Sequence, residues 1–282
     1  MRLSALIAAA IDEDLGHGDV TTEPTIGPEV AGTGRVLAKQ DLVVAGHEVA
    51  RAVFAEVDAR LGGTVGYEVT VPEGTAVQAG TVVATVAGPL RNVVIGERTA
   101  LNFLMRMCGI ATNTRRFVDA AGVGGPRVVD TRKTTPLHRE LEKHAVRCGG
   151  GFNHRHALFD GVLVKDNHVD AVGSLTEAVR RARAANHHLI RVEVEVRSLA
   201  ELEEALGTPA DALLLDNMDD DTLREAIRIA RERKPSVVLE ASGNMSIERI
   251  ERIRGFGLDL VSVGGLIHQA TWADLSLKIR RA

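Results

Sequence analysis

The second half of the chain alternates short apolar runs with longer amphipathic segments. The apolar runs predict strands, in chain order, over residues 127–130, 161–165, 190–195, 212–216, 237–240 and 260–263. Between them, segments such as 219–233 and 246–254 place apolar residues at helical spacing. Strands that alternate with helices of this length predict parallel βα units. We therefore expect an α/β fold in which the parallel strands form a partial α/β barrel rather than an open sheet.

Two of the helices in this half carry a local start signal. Ser174 and Ser198 each precede a glutamate by three residues, Glu177 and Glu201. This is the capping-box spacing, in which the serine accepts a backbone N–H and the glutamate reaches back. Helices are therefore predicted to begin directly after both serines.

The first part of the chain has a different pattern. Residues 4–14 predict a short helix with Ser4 as its N-cap, and residues 49–54 predict another. Residues 30–45 alternate as a strand does, and residues 64–87 are rich in Val and Thr with tight-turn residues between. The second pattern predicts short antiparallel strands. A small α+β domain is expected here.

A long helical pattern joins the two halves over residues 95–121, and Gly109 is a weak point at which this helix is expected to bend or split. We place the α+β domain at residues 1–105 and the barrel at residues 106–267. The C-terminal segment 268–282 is expected to pack with the first domain.

The predicted strands share one further feature, a charged residue at the carboxyl end. These residues are Asp130, Lys165, Glu195, Asp216 and Glu240. Because the carboxyl ends of parallel barrel strands meet at one rim, where active sites are built, the five charges are expected to lie together. A single such charge could simply mark where a strand leaves the core, but five at the same end favour a site.

Basic residues flank this rim. Arg132 and Lys133 follow the first strand, and the segment 153–155, Asn-His-Arg, precedes the second. Arginine forks match carboxylate and phosphate groups, and lysine supplies a point charge, so an anionic substrate is predicted. Glu195 and Asp216 are oxygen ligands suited to Mg²⁺. A zinc site is disfavoured, because the nearby histidines have no Cys/His spacing.

Glycine-rich turns follow the last two strands, at residues 241–244 and 264–266. Free backbone N–H groups at such turns bind phosphate, commonly after the last two strands of a barrel. A phosphate site is therefore predicted between Ser242 and Gly265. The run 149–151, Gly-Gly-Gly, either lets a substrate approach the backbone or is only a loop. No Gly-x-Gly-x-x-Gly follows a strand, which disfavours a dinucleotide fold.

Composition narrows the function classes. Aromatic residues make up 3% of the chain and the net charge is −4, which disfavours nucleic-acid binding. The two cysteines, Cys108 and Cys148, are too few for a disulfide framework and lack metal-site spacing. Cys148 is either a packed thiol or close to a site. With no signal peptide or membrane-length apolar run, we expect a cytoplasmic protein without membrane partners.

Ten short motifs follow one another along nearly the whole chain. They are GHGDVTT (16–22), ERTALNF (97–103), GIAT (109–112), DTRKTTP (130–136), GGGFNHR (149–155), LVKDNH (163–168), VEVEV (192–196), LLLDNM (213–218), EASGN (240–244) and SVGGL (262–266). In this order they resemble the quinolinate phosphoribosyltransferases, which make nicotinate mononucleotide from quinolinate and phosphoribosyl pyrophosphate in NAD biosynthesis. The resemblance implies an N-terminal sandwich-like domain, a partial barrel, dependence on Mg²⁺ and a homodimer with shared active sites.

The resemblance also implies a role for each matching residue. Lys133, Lys165, Glu195 and Asp216 would be catalytic, and Glu195 and Asp216 would hold Mg²⁺ and the ribose hydroxyls. Arg98 would reach the partner subunit's site. The residues that would bind substrate are Arg98, Thr131, Arg132, Lys133, His154, Arg155, Lys165, Glu195, Asp216, Ser242, Gly243, Asn244, Val263, Gly264 and Gly265. Among these, Arg132, His154, Arg155 and Lys165 would grip the two carboxylates, and the residues from Ser242 onward the 5′-phosphate.

Four residues depart from the family pattern without removing a catalytic charge. Leu137-His138 stands where Gly-Leu is usual, Cys108 where Ser is common and His156 where Leu is common. Alternatives are a molybdenum-transport-associated paralogue of the same fold, a lipoyl-carrier-like module based on residues 67–89, and a non-catalytic phosphosugar sensor. The intact segments 153–155 and 165–168 favour the quinolinate enzyme over the paralogue.

Overall fold

The structure is a computed structural model that describes residues 3–282. Across these residues the helices are α1 (Leu3–Leu15), α2 (Thr22–Thr25), α3 (His47–Leu61), α4 (Leu90–Ala121), α5 (Arg139–Cys148), α6 (Asp166–Val172), α7 (Leu175–Ala185), α8 (Leu199–Leu206), α9 (Asp220–Arg233), α10 (Ile247–Ile253) and α11 (Gly265–His268). The strands are β1 (Ala31–Ala38), β2 (Leu42–Val43), β3 (Gly66–Val69), β4 (Ala76–Val77), β5 (Val82–Pro89), β6 (Arg127–Val129), β7 (Val162–Val164), β8 (Val192–Val196), β9 (Ala212–Asp216), β10 (Val238–Ser242), β11 (Leu260–Ser262) and β12 (Leu275–Arg281).

The chain divides into two compact units. The first contains the described residues up to Arg115 together with Thr135–Gly150 and Ala270–Ala282, and the second contains Arg116–Thr134 and Gly151–Gln269. The division therefore falls ten residues beyond the expected boundary at 105. It also assigns the segment after the DTRKTTP motif to the first unit, which the sequence analysis did not anticipate.

The first unit is built on an antiparallel sheet with the strand order β12-β1-β5-β3. Strand β1 pairs with β5 on one side and with the C-terminal β12 on the other, where Val36 lies opposite Leu277. Burial alternates along β1, as expected for a sheet with one face in the core. Helices α1 and α3 add fully buried side chains, including Ile7, Ile11 and Phe54. The α+β character predicted for this part of the chain is confirmed.

Two local predictions in this unit are wrong. Helix α1 begins at Leu3, so Ser4 lies inside the first turn and is not the N-cap. Helix α4 is continuous through Gly109. A Cβ atom at Gly109 would lie 2.0 Å from the Thr271 carbonyl oxygen, so the glycine does not split the helix and instead permits a close backbone approach.

The structure also accounts for two departures from the family pattern. The Cys108 thiol donates to the Ala45 carbonyl oxygen at 3.2 Å and accepts from the Ala45 N–H at 3.3 Å, as a serine hydroxyl could. Leu137 is exposed and has φ 68, in the left-handed region that favours glycine. The usual glycine therefore fits this backbone better than leucine does.

The second unit is a six-stranded sheet with the order β6-β11-β10-β9-β8-β7, and each of its strand pairs is parallel. Among the described residues no strand pairing joins the edge strands β6 and β7, so the barrel is partial. The predicted α/β fold is confirmed, and β9 has the bounds that the sequence predicted. Ser174 and Ser198 accept the backbone N–H of Glu177 and Glu201 at 3.2 Å, which confirms both N-caps.

The core of the second unit is aliphatic. Val192, Val194 and Val196 on β8 are fully buried, as are Leu213 and Leu215 on β9 within about 1%. Alternate residues of a strand share one face, so these side chains give β8 and β9 each one continuous buried apolar face. Within residues 3–282 no helix combines the length and apolar character needed to cross a bilayer.

Candidate active site

The carboxyl ends of the parallel strands in the second unit open into a cavity of about 850 Å³. The predicted site residues that line it are Thr131, Arg132, Lys133, His154, Arg155, Lys165, Glu195, Asp216, Ser242, Gly243, Asn244, Val263, Gly264 and Gly265. They follow six different strands, so the barrel topology alone brings them together.

One part of the cavity is cationic. Arg155 is partly buried, and its pKa is lowered first by burial and then by the nearby charge of Arg132. Arg155 also donates to the Gly161 carbonyl oxygen at 2.9 Å, which holds its side chain in place. A guanidinium whose charge is destabilised by burial and by a second guanidinium is a favourable place for an anion.

The acidic part of the cavity lies on the neighbouring strands β8 and β9. The pKa of Glu195 is raised by burial and then by the charges of Asp216 and Asp166, while Lys165 opposes the shift. Mutual repulsion between carboxylates is relieved by a cation. Glu195 and Asp216 therefore form an oxygen donor set that fits a hard divalent cation such as Mg²⁺.

The glycine turn after β10 has a backbone that few side chains tolerate. Gly243 has φ 89, and a Cβ atom there would lie 2.1 Å from Asn217 Oδ1. Asn217 and Asn244 also have positive φ, 53 and 47. The Asn217 N–H donates to the Ser242 carbonyl oxygen at 3.0 Å, which ties the turns after β9 and β10 together. Successive turns of this kind present backbone N–H groups to anions.

Arg249 stabilises the turn after β10 by hydrogen bonds, and sequence analysis did not predict this residue. Its guanidinium donates to the carbonyl oxygens of Gly243, at 3.0 Å, and Met218, and to the Asp220 carboxylate at 3.1 Å. On the other glycine turn, a Cβ atom at Gly264 would lie 2.9 Å from Cδ of Lys133. The Lys133 side chain therefore runs across Gly264, beside the predicted phosphate position.

Asp130 does not have the role expected from its place at a strand end. It is fully buried and does not line the cavity. Its carboxylate accepts the Asn153 side-chain amide at 2.6 Å and the His154 backbone N–H at 2.9 Å. The expectation that all five strand-end charges face the site therefore holds for Lys165, Glu195, Asp216 and Glu240, whereas Asp130 shapes the 153–155 segment.

His154 faces two glutamates inside the barrel. Its Nδ1 accepts the Arg155 N–H at 2.8 Å, so its Nε2 is the donor, 3.0 Å from Glu193 and 3.6 Å from Glu240. Glu240 is fully buried, and burial followed by the charge of Glu193 raises its pKa to about 8. The three side chains form a buried carboxylate–histidine cluster, which we call the barrel cluster.

Glu193 was not predicted as a site residue. It lies two residues before Glu195 in β8, so both side chains point to the same face of the strand. That alternation in VEVEV was the available signal. A strand otherwise made of buried valines does not place a second glutamate on the inner face without a reason, because an unpaired buried charge is costly.

Two family models match the sequence. Quinolinate phosphoribosyl transferase, N-terminal domain, matches residues 19–108, and quinolinate phosphoribosyl transferase, C-terminal domain, matches residues 110–278. The chain belongs to the quinolinate phosphoribosyltransferase family. It is accordingly an enzyme of the pentosyltransferase type.

Relatives in this family match over almost the full length of the chain. A probable nicotinate-nucleotide pyrophosphorylase [carboxylating] from Synechocystis sp. is 42% identical over 269 residues, which cover 95% of this chain and 90% of the relative. The nicotinate-nucleotide pyrophosphorylase [carboxylating] of Mycobacterium leprae is 41% identical over 276 residues, 97% and 95% of the two chains. The crystal structure of NadC from Streptococcus pyogenes has a TM-score of 0.93 at 38% identity, with 99% and 97% covered.

Arg98 is exposed on α4 in the first unit and does not line the cavity in the second, so its expected role in the partner's site stays a prediction. One residue differs from what the family resemblance led us to expect. His154 lines the cavity, but its Nε2 is directed at Glu193 and Glu240. The histidine is thus held by the barrel cluster, and the cationic residues beside it, Arg132 and Arg155, remain as the better placed carboxylate ligands.

Proposed function

We propose that this chain transfers the phosphoribosyl group of phosphoribosyl pyrophosphate to quinolinate, and that it releases pyrophosphate and carbon dioxide to give nicotinate mononucleotide for NAD biosynthesis. The observation that carries the proposal is the presence of two guanidinium groups in the cavity, Arg132 and Arg155, where burial and then the charge of Arg132 lower the pKa of Arg155. A substrate with two carboxylates relieves the repulsion between these charges better than one with a single carboxylate.

The other lining residues fit the second substrate. Backbone N–H groups of the turns at 242–244 and 264–265 would bind the 5′-phosphate. Lys133, which crosses Gly264, would neutralise charge on the pyrophosphate as it leaves. Positive charge grows on the ribose ring as that bond breaks, and the carboxylates of Glu195 and Asp216 would stabilise it.

Arg132, Arg155 and Lys165 would hold the quinolinate ring so that its nitrogen faces the anomeric carbon of the ribose. Once the new bond forms, the pyridinium nitrogen is an electron sink. The carboxylate next to it then leaves as carbon dioxide, its bonding electron pair stays on the ring carbon, and that carbon takes up a proton. No step needs a covalent intermediate with the protein.

We further propose Mg²⁺ as the cofactor, held on the protein side by Glu195 and Asp216. The support is that burial and then the charge of Asp216 raise the pKa of Glu195, a shift that a divalent cation would oppose. When bound, the ion would supply charge neutralisation for the pyrophosphate. Glu195→Ala and Asp216→Ala are each expected to slow product formation strongly while the protein stays folded.

The test is an assay of the purified chain with phosphoribosyl pyrophosphate, Mg²⁺ and either quinolinate or nicotinate, followed for nicotinate mononucleotide. Turnover of quinolinate is expected to exceed that of nicotinate by a factor of about 10⁴, because the smaller ligand leaves one of the cations in the cavity unpaired. Comparable turnover of the two acids would contradict the assignment, and so would near-normal rates for Glu195→Ala at limiting Mg²⁺.

We also propose a homodimer in which Arg98 completes the partner's site. The support is that Arg98 is exposed and does not line its own cavity. Arg98→Ala and Lys133→Ala are each expected to be nearly inactive alone. In mixed dimers about half the molecules are hybrids with one intact site, so activity should recover to about a quarter of wild type. No recovery in verified hybrids would place Arg98 outside the partner's site.

We propose a reducing cytoplasm as the location of the reaction. Both cysteines are free thiols, and Cys108 is buried in a hydrogen-bonded exchange with Ala45 that a disulfide would break.

A further inference from the structure

A second cluster of titratable side chains lies in the first unit and has no part in the proposed reaction. His144 and Cys148 are four residues apart on α5, so they share one face of the helix. Glu73, in the turn before β4, meets them there. His144 Nε2 lies 2.6 Å from Glu73 Oε2, and Cys148 Sγ lies 3.4 Å from His144 Nε2 and 3.6 Å from Glu73 Oε2. We call these three residues the thiol cluster.

The geometry of the thiol cluster does not suit nucleophilic catalysis. In a catalytic triad the histidine uses one ring nitrogen for the nucleophile and the other for the carboxylate. In this cluster Nε2 of His144 faces both Cys148 and Glu73, while Nδ1 lies 3.2 Å from the exposed Arg147 guanidinium. Three potential ligand atoms of three different types therefore converge on one small region.

The spacing of these atoms approaches that of a tetrahedral zinc site. Zinc bonds of about 2.3 Å to sulfur and about 2.1 Å to nitrogen or oxygen imply distances of about 3.3–3.6 Å between ligand atoms. The two distances from Cys148 Sγ, 3.4 and 3.6 Å, already fall in or near this range. The contact between His144 and Glu73 has to open by about 0.7 Å, which a small rotation of the partly exposed imidazole can supply.

The Glu73 carboxylate is already oriented by the backbone without a metal ion. Oε1 of Glu73 accepts the backbone N–H of Gly46 at 2.6 Å and of His47 at 2.9 Å, at the start of α3. This leaves Oε2 directed at His144 and Cys148. Outer contacts that fix a ligand in this way are typical of metal sites.

We propose that Glu73, His144 and Cys148 bind Zn²⁺, with water as the fourth ligand. A thiolate with an imidazole and a carboxylate suits a borderline-soft ion and disfavours Mg²⁺. Binding releases the Cys148 thiol proton and the Nε2 proton of His144 to solvent, and Nδ1 keeps a proton once Arg147 moves away. The ion would link the C-terminal end of α5 to the turn at Glu73, which is a structural role separate from the reaction.

The test uses the full chain, freed of metal by a chelator and then titrated with Co²⁺, a spectroscopic substitute for Zn²⁺. A thiolate ligand gives an intense charge-transfer absorption, whereas the carboxylates and His154 of the cavity give none. One equivalent of Co²⁺ is expected to produce this absorption, and Zn²⁺ to abolish it by displacement. Cys148→Ser should lose the absorption, and Cys108→Ser, the matched control at the buried thiol, should keep it.

Absence of the absorption in the wild type, or its persistence in Cys148→Ser, would overturn the site. A second readout needs no variant: Zn²⁺ should protect Cys148 from alkylation, measured by mass spectrometry of its peptide, and unchanged labelling would also overturn the proposal. Glu73→Gln is expected to weaken Zn²⁺ binding by a factor of about ten or more. Equal affinity in Glu73→Gln would remove the carboxylate from the ligand set.

Discussion

The barrel cluster and the thiol cluster each place one histidine beside a glutamate. The pKa of Glu240 is raised in the barrel cluster, whereas the pKa of Glu73 is lowered in the thiol cluster. In the barrel cluster, burial and the charge of Glu193 raise the pKa of Glu240 to about 8. In the thiol cluster, burial opposes ionisation of Glu73, but His144 and two backbone N–H groups lower its pKa to about 2. Burial raises the pKa of both carboxyl groups, and the difference is that the partners of Glu73 overcome this effect whereas Glu193 adds to it at Glu240.

The histidines follow the same logic. His144 has a thiol and an ionised carboxylate beside it, and these raise its pKa to about 10. His154 is fixed through Nδ1 by a backbone N–H and shares Nε2 between two glutamates. The barrel cluster thus holds a proton among buried groups beside the reaction cavity. The thiol cluster holds a positive charge on His144 and a negative charge on Glu73, at a partly exposed helix end.

The largest expected effect comes from removing His154. Because Nδ1 of His154 accepts a backbone N–H, its ring is neutral and donates from Nε2. His154→Ala leaves the buried Glu193 carboxylate without that donor, which is expected to cost about 3 kcal/mol or more of stability. Displacement of the neighbouring Arg155 should slow nicotinate mononucleotide formation by a factor of about 10². His144→Ala, at a partly exposed site, is expected to cost about 1 kcal/mol or less and to leave turnover near wild type.

Urea unfolding and the product assay, run on both variants without added zinc, check this pair. Equal losses of stability would contradict the contrast between the two clusters. A normal rate for His154→Ala would remove the barrel cluster from the active site.

The barrel cluster should also show itself in the dependence of stability on pH. Because the folded pKa of Glu240, about 8, is above its ordinary 4.5, its contribution is fully present below 4.5 and is lost as pH rises through 8. Each pKa unit corresponds to about 1.4 kcal/mol, so the loss amounts to several kcal/mol. Glu240→Gln, a neutral isostere, should gain on the wild type between about pH 5 and pH 8.5.

Urea midpoints of the two proteins at those two pH values provide the measurement. A constant difference between them would mean that Glu240 does not titrate within this window. Turnover near pH 7 should fall only modestly in Glu240→Gln, because the wild-type side chain is already protonated there.

Glu73 is expected to have the opposite effect on the dependence of stability on pH, and at acidic pH. Its folded pKa of about 2 lies below the ordinary 4.5, so its stabilising effect is present above 4.5 and is lost as pH falls through 2. Glu73→Gln is expected to lower stability at neutral pH by about 1–2 kcal/mol, allowing for partial exposure, and by less near pH 3. Thermal unfolding at both pH values checks this, and an equal deficit at each would be the contrary result.

The two clusters also mark how far the sequence could predict the molecule. Strand-end charges predicted the cavity because residues at the carboxyl ends of parallel barrel strands meet at one rim. Glu195 and Asp216 are examples. The same inference was wrong for Asp130, because its carboxylate is directed away from the cavity and accepts the Asn153 side-chain amide. Nothing in the strand pattern distinguishes the two outcomes, since both depend on what the following loop offers.

The thiol cluster lay beyond sequence analysis for another reason. Cysteine spacing disfavoured a metal site, since only short-range Cys/His spacing can be recognised. Glu73 is separated from His144 by 71 residues, and the helix that pairs His144 with Cys148 was not predicted. The exposed Leu137, just before that helix, shows a related limit: the family pattern marks the position as a departure, but only the left-handed backbone explains why glycine is usual there.

The smallest expected effect separates the two partners of His144. Its pKa is raised first by the Cys148 thiol and next by Glu73, with burial opposing them. Cys148→Ala in metal-free protein should therefore lower the pKa of His144, while Glu73 keeps it above the ordinary 6.5 and the exposed Arg147 has the opposite influence. Stability near pH 6 should change by about 1 kcal/mol or less, since one thiol contact at a partly exposed site is lost. Titration of the His144 ring protons by NMR, with the resonance assigned through His144→Gln, measures the shift. An unchanged midpoint would make Glu73 alone responsible, and the thiol cluster would then be a simple histidine–carboxylate pair with a bystander cysteine.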